Sequence, residues 1–486
     1  RRGILTEQDA YFGGWTKWSG ETIDGLPAGE WATRQVNDLS ERRNVRLLNR
    51  TTAWGYYDDN TVAAMERVTD HQAVPATGAP RHRHWTIRAG TVVLATGSFE
   101  RPLVFPGNDR PGVMLASAAD RYTGEFGVLP GQKIAVFTNN DGAYSAAATL
   151  KQAGADIVAI VDVRSEPNGA MEYAGAEILA RHAVVGTEGG KALSGIKVQR
   201  YDATTGALSG EVRNIAADCL LVSGGWSPAI HLASQAGAKP EWDASLLAFL
   251  PPKPTQNWIG AGAFNGKSST AEAIAEGWAA GLEAAGAVGS SDLPPVDAPE
   301  IDLAPAPVFE IKAKGKAFVD FQHDVTADDV RLAHQEGFVS VEHLKRYTTL
   351  GMATDQGKTS NVPGLAIMAD ALGKAIPEVG TTRFRPPFSP VSIGALAAER
   401  YGDLKPERLT PMHDWHLANG ATMYGAGLWH RPMIYGAPGE TVEQAYVREA
   451  KAVREAVGIV DVSTLGKIAV QGPDAATFLD RVYTNL

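Results

Sequence analysis

The sequence predicts an α/β protein built on parallel sheets, and three observations predict it. Short apolar runs, each closed by a small residue or an acid, recur along the first half of the chain, as in Val92–Ala95, Lys133–Phe137 and Ile157–Val161. A helix-length segment, Tyr144–Gly154, lies between two of them. Glycine pairs and Pro-Gly turns mark the boundaries, as at Gly13-Gly14 and Phe105–Gly112. Strands alternating with helices in this way give a two-domain dinucleotide-binding (FAD/NAD-type) fold.

Length and composition narrow the classes. The chain has 486 residues, enough for about three domains at ~150 residues each. It is 44% hydrophobic and 21% charged, as ordinary globular proteins are. A net charge of −10 argues against nucleic acid as a partner. The one cysteine, Cys219, lies in an apolar run, so no disulfide forms within the chain. A zinc site or iron–sulfur cluster held by cysteines needs more thiolates than this. No apolar run reaches the ~18 residues of a membrane span, and no signal-peptide pattern follows Arg1-Arg2. We read the chain as cytoplasmic. It opens at Arg1, just before a strand pattern, and Asp474–Leu486 stops within an amphipathic helix and its exit. A fragment of a longer subunit is expected.

Gly3–Glu7 is a short apolar run closed by an acid. In a dinucleotide fold, the acid closing the second strand accepts hydrogen bonds from the adenosine ribose hydroxyls. Glu7, flanked by Thr6 and Gln8, suits that role, and a surface acid at a strand end shows the same pattern. Pro27–Asp38 is expected to be helical, and Asn44–Arg50 a strand entering Thr51–Trp54. Backbone at that strand end can face an adenine edge, which makes Ala53 a candidate contact. Strands follow at Trp54–Tyr57 and Val62–Thr69. His71–His84, rich in Pro and His, is expected to be a solvated hairpin loop rather than a metal tract.

Thr91–Met114 organises the rest. Val92–Ala95 reads as a buried parallel strand broken at Thr96-Gly97, where the backbone turns sharply. Ala95, Thr96 and Gly97 stand at the carboxyl end of that strand, where ligands of α/β sheets bind. Phe105–Gly112 then crosses to a second domain. There Lys133–Phe137, Tyr144–Gly154 and Ile157–Val161, ending at Asp162, form a β-α-β unit. Its turn carries Thr138 and Asn140 where a phosphate-binding turn needs glycine, so a second nucleotide site is expected to be dead. The unit continues through Ala183–Glu188, Gly195–Asp202 and Asp218–Gly224. Trp258–Ala263 returns to the first domain, and a helix covers Ser269–Leu282. The return reads Gly262-Ala263, without the Asp that binds a flavin ribityl chain in flavoproteins. That permits NAD and argues against FAD here. Residues Ser268–Thr270 offer unpaired helix N–H groups to a phosphate or carboxamide.

Ala284–Pro307 reads as a linker. Helices are expected over Thr326–Gly337, Ser340–Leu350 and Val362–Ile376. Near the end, His413, His416 and His430 lie close to Asp414 in sequence. Polar loop or pocket residues are expected there rather than a metal site, and no metal ligand or catalytic residue is assigned.

Four stretches resemble one family: A-T-G-S-F-E-R-P-L-V-F-P-G-N-D-R-P-G-V-M-L-A-S, V-F-T-N-N-D-G-A-Y, L-L-V-S-G-G-W-S-P-A and V-V-G-T-E-G-G-K. The chain resembles an internal portion of the alpha subunit of heterotetrameric sarcosine oxidase. The resemblance implies NAD in the first domain, with Thr6, Glu7, Gln8, Gly14, Ala53, Ala263, Ser268 and Thr270 as contacts. It also implies partner beta, gamma and delta subunits, FAD on the beta subunit, and FMN at the alpha–beta interface. The activity it implies is oxidative demethylation of sarcosine, with the one-carbon unit passed to tetrahydrofolate and hydrogen peroxide released.

The middle piece resembles a small domain that holds a 2Fe–2S cluster in related amine dehydrogenases. The four cysteine positions of that domain are Asp320, Gln322, Asp355 and Ser360 here. Without thiolates the cluster cannot assemble. The tail resembles the start of the folate-binding aminomethyltransferase, an α+β fold. The expected domains are 1–130 with 254–288, an inserted 131–253, a small helical 305–385, and 386–486. Two alternatives remain: an alpha subunit of another flavin-dependent amine dehydrogenase, or a non-catalytic scaffold stabilised by its nucleotide.

Overall fold

The computed structural model of the chain describes residues 2–167, 175–237, 239–286, 296–297, 303–397 and 406–484. It divides into two compact units, Arg1–Leu396 and Ala397–Leu486.

The first unit begins with β1 (Gly3–Thr6), α1 (Ala28–Ser40) and β2 (Val45–Leu48). β1 and β2 pair in parallel, with Leu5 opposite Leu47. A meander follows: β3 (Thr51–Tyr57), β4 (Thr61–Arg67) and β5 (His82–Arg88), antiparallel throughout. His82–His84 therefore belong to a strand and not to the solvated loop expected over His71–His84. The reason is pairing: Met65 stands opposite His84, and Glu66 accepts a hydrogen bond from the indole N–H of Trp85 at 2.8 Å. β6 (Val92–Leu94) then leads into the turn that the sequence singles out.

The second domain is a five-stranded parallel sheet. Its strands are β7 (Val113–Leu115), β8 (Lys133–Thr138), β9 (Asp156–Asp162), β10 (Ile178–Ala180) and β14 (Cys219–Ser223), in the order β7-β14-β8-β9-β10. Between β7 and β9 run α2 (Ala116–Phe126) and α3 (Gly142–Gln152). Both cover one face, where Ile134, Val136, Ile160 and Leu221 pack with Ala119, Ala147 and Leu150. The other face carries Ala135, Phe137, Val161 and Val222. It packs on an antiparallel sheet of β11 (His182–Glu188), β12 (Gly195–Asp202) and β13 (Ala207–Ala216). Side chains alternate faces along a strand, so a strand covered on both sides is apolar at every position. That is why Ile134–Phe137 is unbroken. Burying each of Ile134, Val136 and Phe137 contributes about 1.5–3 kcal/mol. The boundary expected after residue 130 lies earlier: β7 is an edge strand of this sheet, and Ala116 and Ala119 of α2 lie in its core.

The chain returns through β15 (Trp258–Gly260) to α4 (Thr270–Ala285). β15 pairs in parallel with β6, Gly260 opposite Leu94. No ladder joins this pair to β1–β2 among the described residues. The run Val92–Ala95 is accordingly not buried throughout. Leu94 is 3% exposed but Val93 is 41%, and Ile4 and Leu5 of β1 are also exposed. Edges and faces of parallel strands are covered only when further strands and helices lie against them.

Leu303–Pro307, the end of the expected linker, and Val308 after it are packed. Ala306 and Val308 join the core beneath the second sheet, and the backbone N–H of Ala306 donates to the Asn139 carbonyl at 2.9 Å. The small helical domain then forms from β16 (Phe318–Asp320), β17 (Val325–Thr326), α5 (Ala327–Gln335), α6 (Val341–Thr348) and α7 (Asn361–Leu372). Thr326 and Asp329 close a capping box on α5, an arrangement that contributes about 1 kcal/mol. Val330, Leu344, Ile367 and Met368 fill its core.

The second unit contains α8 (His413–Ala418), a hairpin of β18 (Ala421–Ala426) and β19 (Trp429–Tyr435), α9 (Val442–Glu455) and α10 (Ala475–Val482). Thr441 and Gln444 cap α9. Ile459 and Ile468, in the stretch that follows, are 99% and 86% exposed.

Candidate functional site

Glu7 stands at the carboxyl end of β1. Its N–H donates to Leu48 at 2.9 Å, and its carbonyl accepts from Thr51 at 2.7 Å. One carboxylate oxygen accepts the Asp9 N–H at 2.9 Å. Burial pushes this carboxyl above its ordinary range, against the lowering effect of the Asp9 N–H. Thr6 is paired to Leu48. Gln8 is exposed, and its carbonyl accepts from Arg67. Ala53 is not at the end of β2. The strand breaks at Asn49-Arg50, with Arg50 at φ 51°, and Ala53 sits inside β3 opposite Ala64. Gly14 opens a single 3-10 turn, Gly14–Lys17, with φ 56° after Gly13 at φ 105°. A Cβ at Gly14 would meet nothing within 4 Å.

The second set surrounds the end of β6. Ala95, Thr96 and Gly97 follow that strand directly. Gly97 has φ 76° and open space where a Cβ would stand. The Thr96 hydroxyl donates to the Ala229 carbonyl at 2.8 Å, and the Ala229 N–H returns to Gly97 at 2.9 Å. Ala263 lies in the turn Gly262–Asn265, and the Gly262 N–H donates to Glu276 at 2.9 Å. Ser268 precedes Ser269, whose hydroxyl caps α4 by accepting from the Glu272 N–H at 3.1 Å. The Thr270 hydroxyl donates to Glu21 at 2.8 Å.

Glu21 escaped the sequence reading because 249 positions separate it from Thr270. Its other carboxylate oxygen is buried without a partner, and burial raises its pKa. A buried acceptor left unmatched in protein calls for a donor. A ribose hydroxyl or an amide N–H is the kind of donor that would match it.

The second β-α-β turn is closed. Thr138, Asn139 and Asn140 are fully buried. The Thr138 hydroxyl donates to the Asn140 carbonyl at 2.8 Å. The Asn140 side-chain amide donates to the Ser223 hydroxyl at 3.0 Å, and its oxygen accepts the Gly142 N–H at 3.0 Å. The Asn139 amide holds the carbonyls of Ala306 and Val308 at 2.9 and 3.2 Å. Asp162, the acid ending β9, is likewise occupied. Arg164 meets it at 2.8 Å and Asp141 at 2.5 Å, and the Tyr144 hydroxyl donates to it at 3.1 Å. Protein groups thus take both the turn N–H and the strand-end acid.

In the small helical domain, two of the four positions equivalent to cluster cysteines meet. The Ser360 hydroxyl donates to Asp320 at 3.4 Å, and both residues are buried. Asp320 also accepts the N–H groups of Gln322 at 3.0 Å and Gly351 at 2.8 Å. Asp355 accepts from the Gly357 N–H at 3.2 Å. These oxygen ligands and backbone bonds do not fit an iron–sulfur cluster.

In the second unit, both ring nitrogens of His416 are engaged. Nδ1 lies 2.6 Å from the Tyr435 hydroxyl and Nε2 3.0 Å from Asp461. Hydrogen bonds from Ser463 and His416 hold the Asp461 carboxyl below the usual carboxylate range. His413 and His430 have ring centres 6.0 Å apart, and His430 pairs with Glu407 at 3.5 Å. No group of metal-ligand type gathers among the described residues. No helix among them is long and apolar enough to cross a membrane.

Three family profiles match the chain: pyridine nucleotide-disulphide oxidoreductase over residues 20–246, Sarcosine oxidase A3 domain over 314–400, and the GCVT N-terminal domain over 412–486. The sarcosine oxidase alpha subunit of Rhizobium meliloti is 45% identical, covering 100% of this chain and 49% of that protein. That of Corynebacterium sp. strain U-96 is 42% identical, covering 99% and 52%. The chain thus spans about half the length of the relatives it matches. In structure, L-proline dehydrogenase from P. horikoshii aligns with TM-score 0.60 at 20% identity, covering 81% of this chain and 74% of that one. That likeness shows the fold alone. Matched from end to end at this identity, with an A3 domain in place, the chain belongs with the alpha subunits of sarcosine oxidase.

Proposed function

We propose that this chain is the central part of an alpha subunit in a sarcosine oxidase complex and holds NAD as a bound nucleotide in its first domain. The end-to-end match to sarcosine oxidase alpha subunits carries the reading. The complex would contain beta, gamma and delta subunits in the cytoplasm. It would convert sarcosine and oxygen to glycine and hydrogen peroxide, with tetrahydrofolate taking the one-carbon unit. FAD on the beta subunit and FMN at the alpha–beta interface supply the redox chemistry, and folate accepts the carbon unit at the aminomethyltransferase-like tail.

This chain's own residues then bind and position. Glu7, with Thr6 and Gln8 beside it, accepts ribose hydroxyls. Gly14, where a Cβ would meet nothing within 4 Å, admits the adenosine closely. Ala95, Thr96 and Gly97 form the floor at the end of β6. Ala263, in the turn Gly262–Asn265, and Ser268 and Thr270, at the start of α4, face the far end of the nucleotide. The open face at Gly97 and the unmatched oxygen of Glu21 support this placement. No residue here is assigned to the oxidation of the amine. The oxidase character is supported by Asp320, Gln322, Asp355 and Ser360 standing where dehydrogenase relatives carry cluster thiolates.

The test is reconstitution. The subunit carrying this chain, co-purified with a beta-type flavoprotein and the small subunits, should release hydrogen peroxide from sarcosine. Peroxide from the beta-type subunit alone at the same rate would overturn the proposed requirement for this chain.

A further inference from the structure

The small helical domain has a cavity of about 420 Å³ that lies outside the proposed nucleotide site. α6 lines it with Glu342, Lys345 and Arg346, which fall on one helix face by their spacing. The opposite wall is Arg385–Pro387. That wall is fixed: the Gln356 side-chain amide donates to the carbonyls of Arg385 and Pro387 at 2.7 and 3.1 Å. Its oxygen accepts the Arg385 N–H at 2.8 Å. Gly351, at the edge, is held by Asp320 at 2.8 Å.

The lining is unbalanced in charge. Three cations, Lys345, Arg346 and Arg385, face a single carboxylate. That carboxylate, Glu342, is taken by Arg346 at 3.3 Å. Neither Lys345 nor Arg385 makes an ion pair among the described residues. Burial pulls the Lys345 amine below its ordinary pKa; Glu342 opposes the fall, and Arg385 and Arg346 add to it. Cations gathered in a fixed cavity without counter-charge are stabilised when an anion enters. A guanidinium and an ammonium together suit phosphate oxygens. Met352 and Pro387 add apolar surface beside them, and the volume is that of a small-molecule site.

We propose that this cavity binds a small organic phosphate, the phosphate between Lys345 and Arg385 and the organic body against Met352 and Pro387. The proposal does not depend on NAD in the first domain.

The test is calorimetric titration of the full chain with phenyl phosphate and with phenol. Phenyl phosphate should bind saturably and phenol should not. Lys345→Met and Arg385→Gln should each weaken phenyl phosphate about tenfold, as loss of a charged hydrogen bond does. Glu342→Gln should tighten it, because the one opposing carboxylate is gone. Melting temperatures of the variants would verify that they fold. Absence of saturable binding, equal binding of phenol, or indifference to both cation substitutions would overturn the proposal.

Discussion

Asn139 and Ala306 clasp each other: the Ala306 N–H donates to the Asn139 carbonyl at 2.9 Å, and the Asn139 amide donates to the Ala306 carbonyl at 2.9 Å. The clasp lays a strap of chain over the turn of the second β-α-β unit. In a working dinucleotide site, pyrophosphate meets backbone N–H groups at that turn. Here the fold has kept its strands and helix while protein groups occupy the turn.

Asn139→Ala removes an amide that satisfies two carbonyls, Ala306 and Val308. The Ala306 carbonyl keeps the Val308 N–H at 2.7 Å, so the Val308 carbonyl is the acceptor left unmatched, at a cost of about 1–3 kcal/mol. The variant should therefore lose about 1–3 kcal/mol in denaturant unfolding. A midpoint unchanged from wild type would show that the strap is not held there.

Arg164→Met should be more damaging. Asp162 has a fully buried side chain and pairs with Arg164 at 2.8 Å. Breaking a buried pair from one side leaves an uncompensated charge and costs about 3–5 kcal/mol. Adding Asp162→Asn to Arg164→Met should restore much of the loss, since the stranded charge is then gone. Additive losses in the double variant would contradict this.

Glu100 gives a pH prediction. Burial lifts its carboxyl to about 7, although Ser223 and Ser117 hydrogen bonds pull the other way. The folded state thus holds this proton more tightly than the unfolded chain, whose glutamates titrate near 4.3. Stability from this group is fully present below pH ~4.3, falls as pH rises towards 7, and is level above that. The fall amounts to about 4 kcal/mol. Glu100→Gln keeps an acceptor for the Ser117 N–H, which lies 2.7 Å from the carboxylate. Relative to that variant, wild type should lose stability between pH 5 and 7, within the interval set by those pKa values. Parallel stability curves for the two proteins would refute the assignment.

Much of the fold could be read from local pattern. Ile134–Phe137 announces a strand covered on both faces, and the core confirms it with Ile134 and Val136 on one side and Ala135 and Phe137 on the other. The closed second turn was legible too, because Thr138 and Asn140 put side chains where glycine is needed. What could not be read depended on partners far away in sequence. The strap at Ala306 looks like a linker by composition, yet it is fixed by a residue 167 positions earlier. Glu21 is an ordinary acid until Thr270 folds against it. Val93 has a core residue's chemistry, and its exposure depends on which strands lie beside it. Ala53 was given a strand end because the break at Arg50 leaves little trace in composition.

The most direct measurement is the nucleotide content of the purified chain, wild type and Glu7→Ala. The account predicts NAD bound to wild type and its retention weakened by ~1–3 kcal/mol, the cost of losing a charged acceptor, in Glu7→Ala. Asn139→Ala should keep its NAD. NAD retained in full by Glu7→Ala, or lost only when Asn139 is changed, would contradict it.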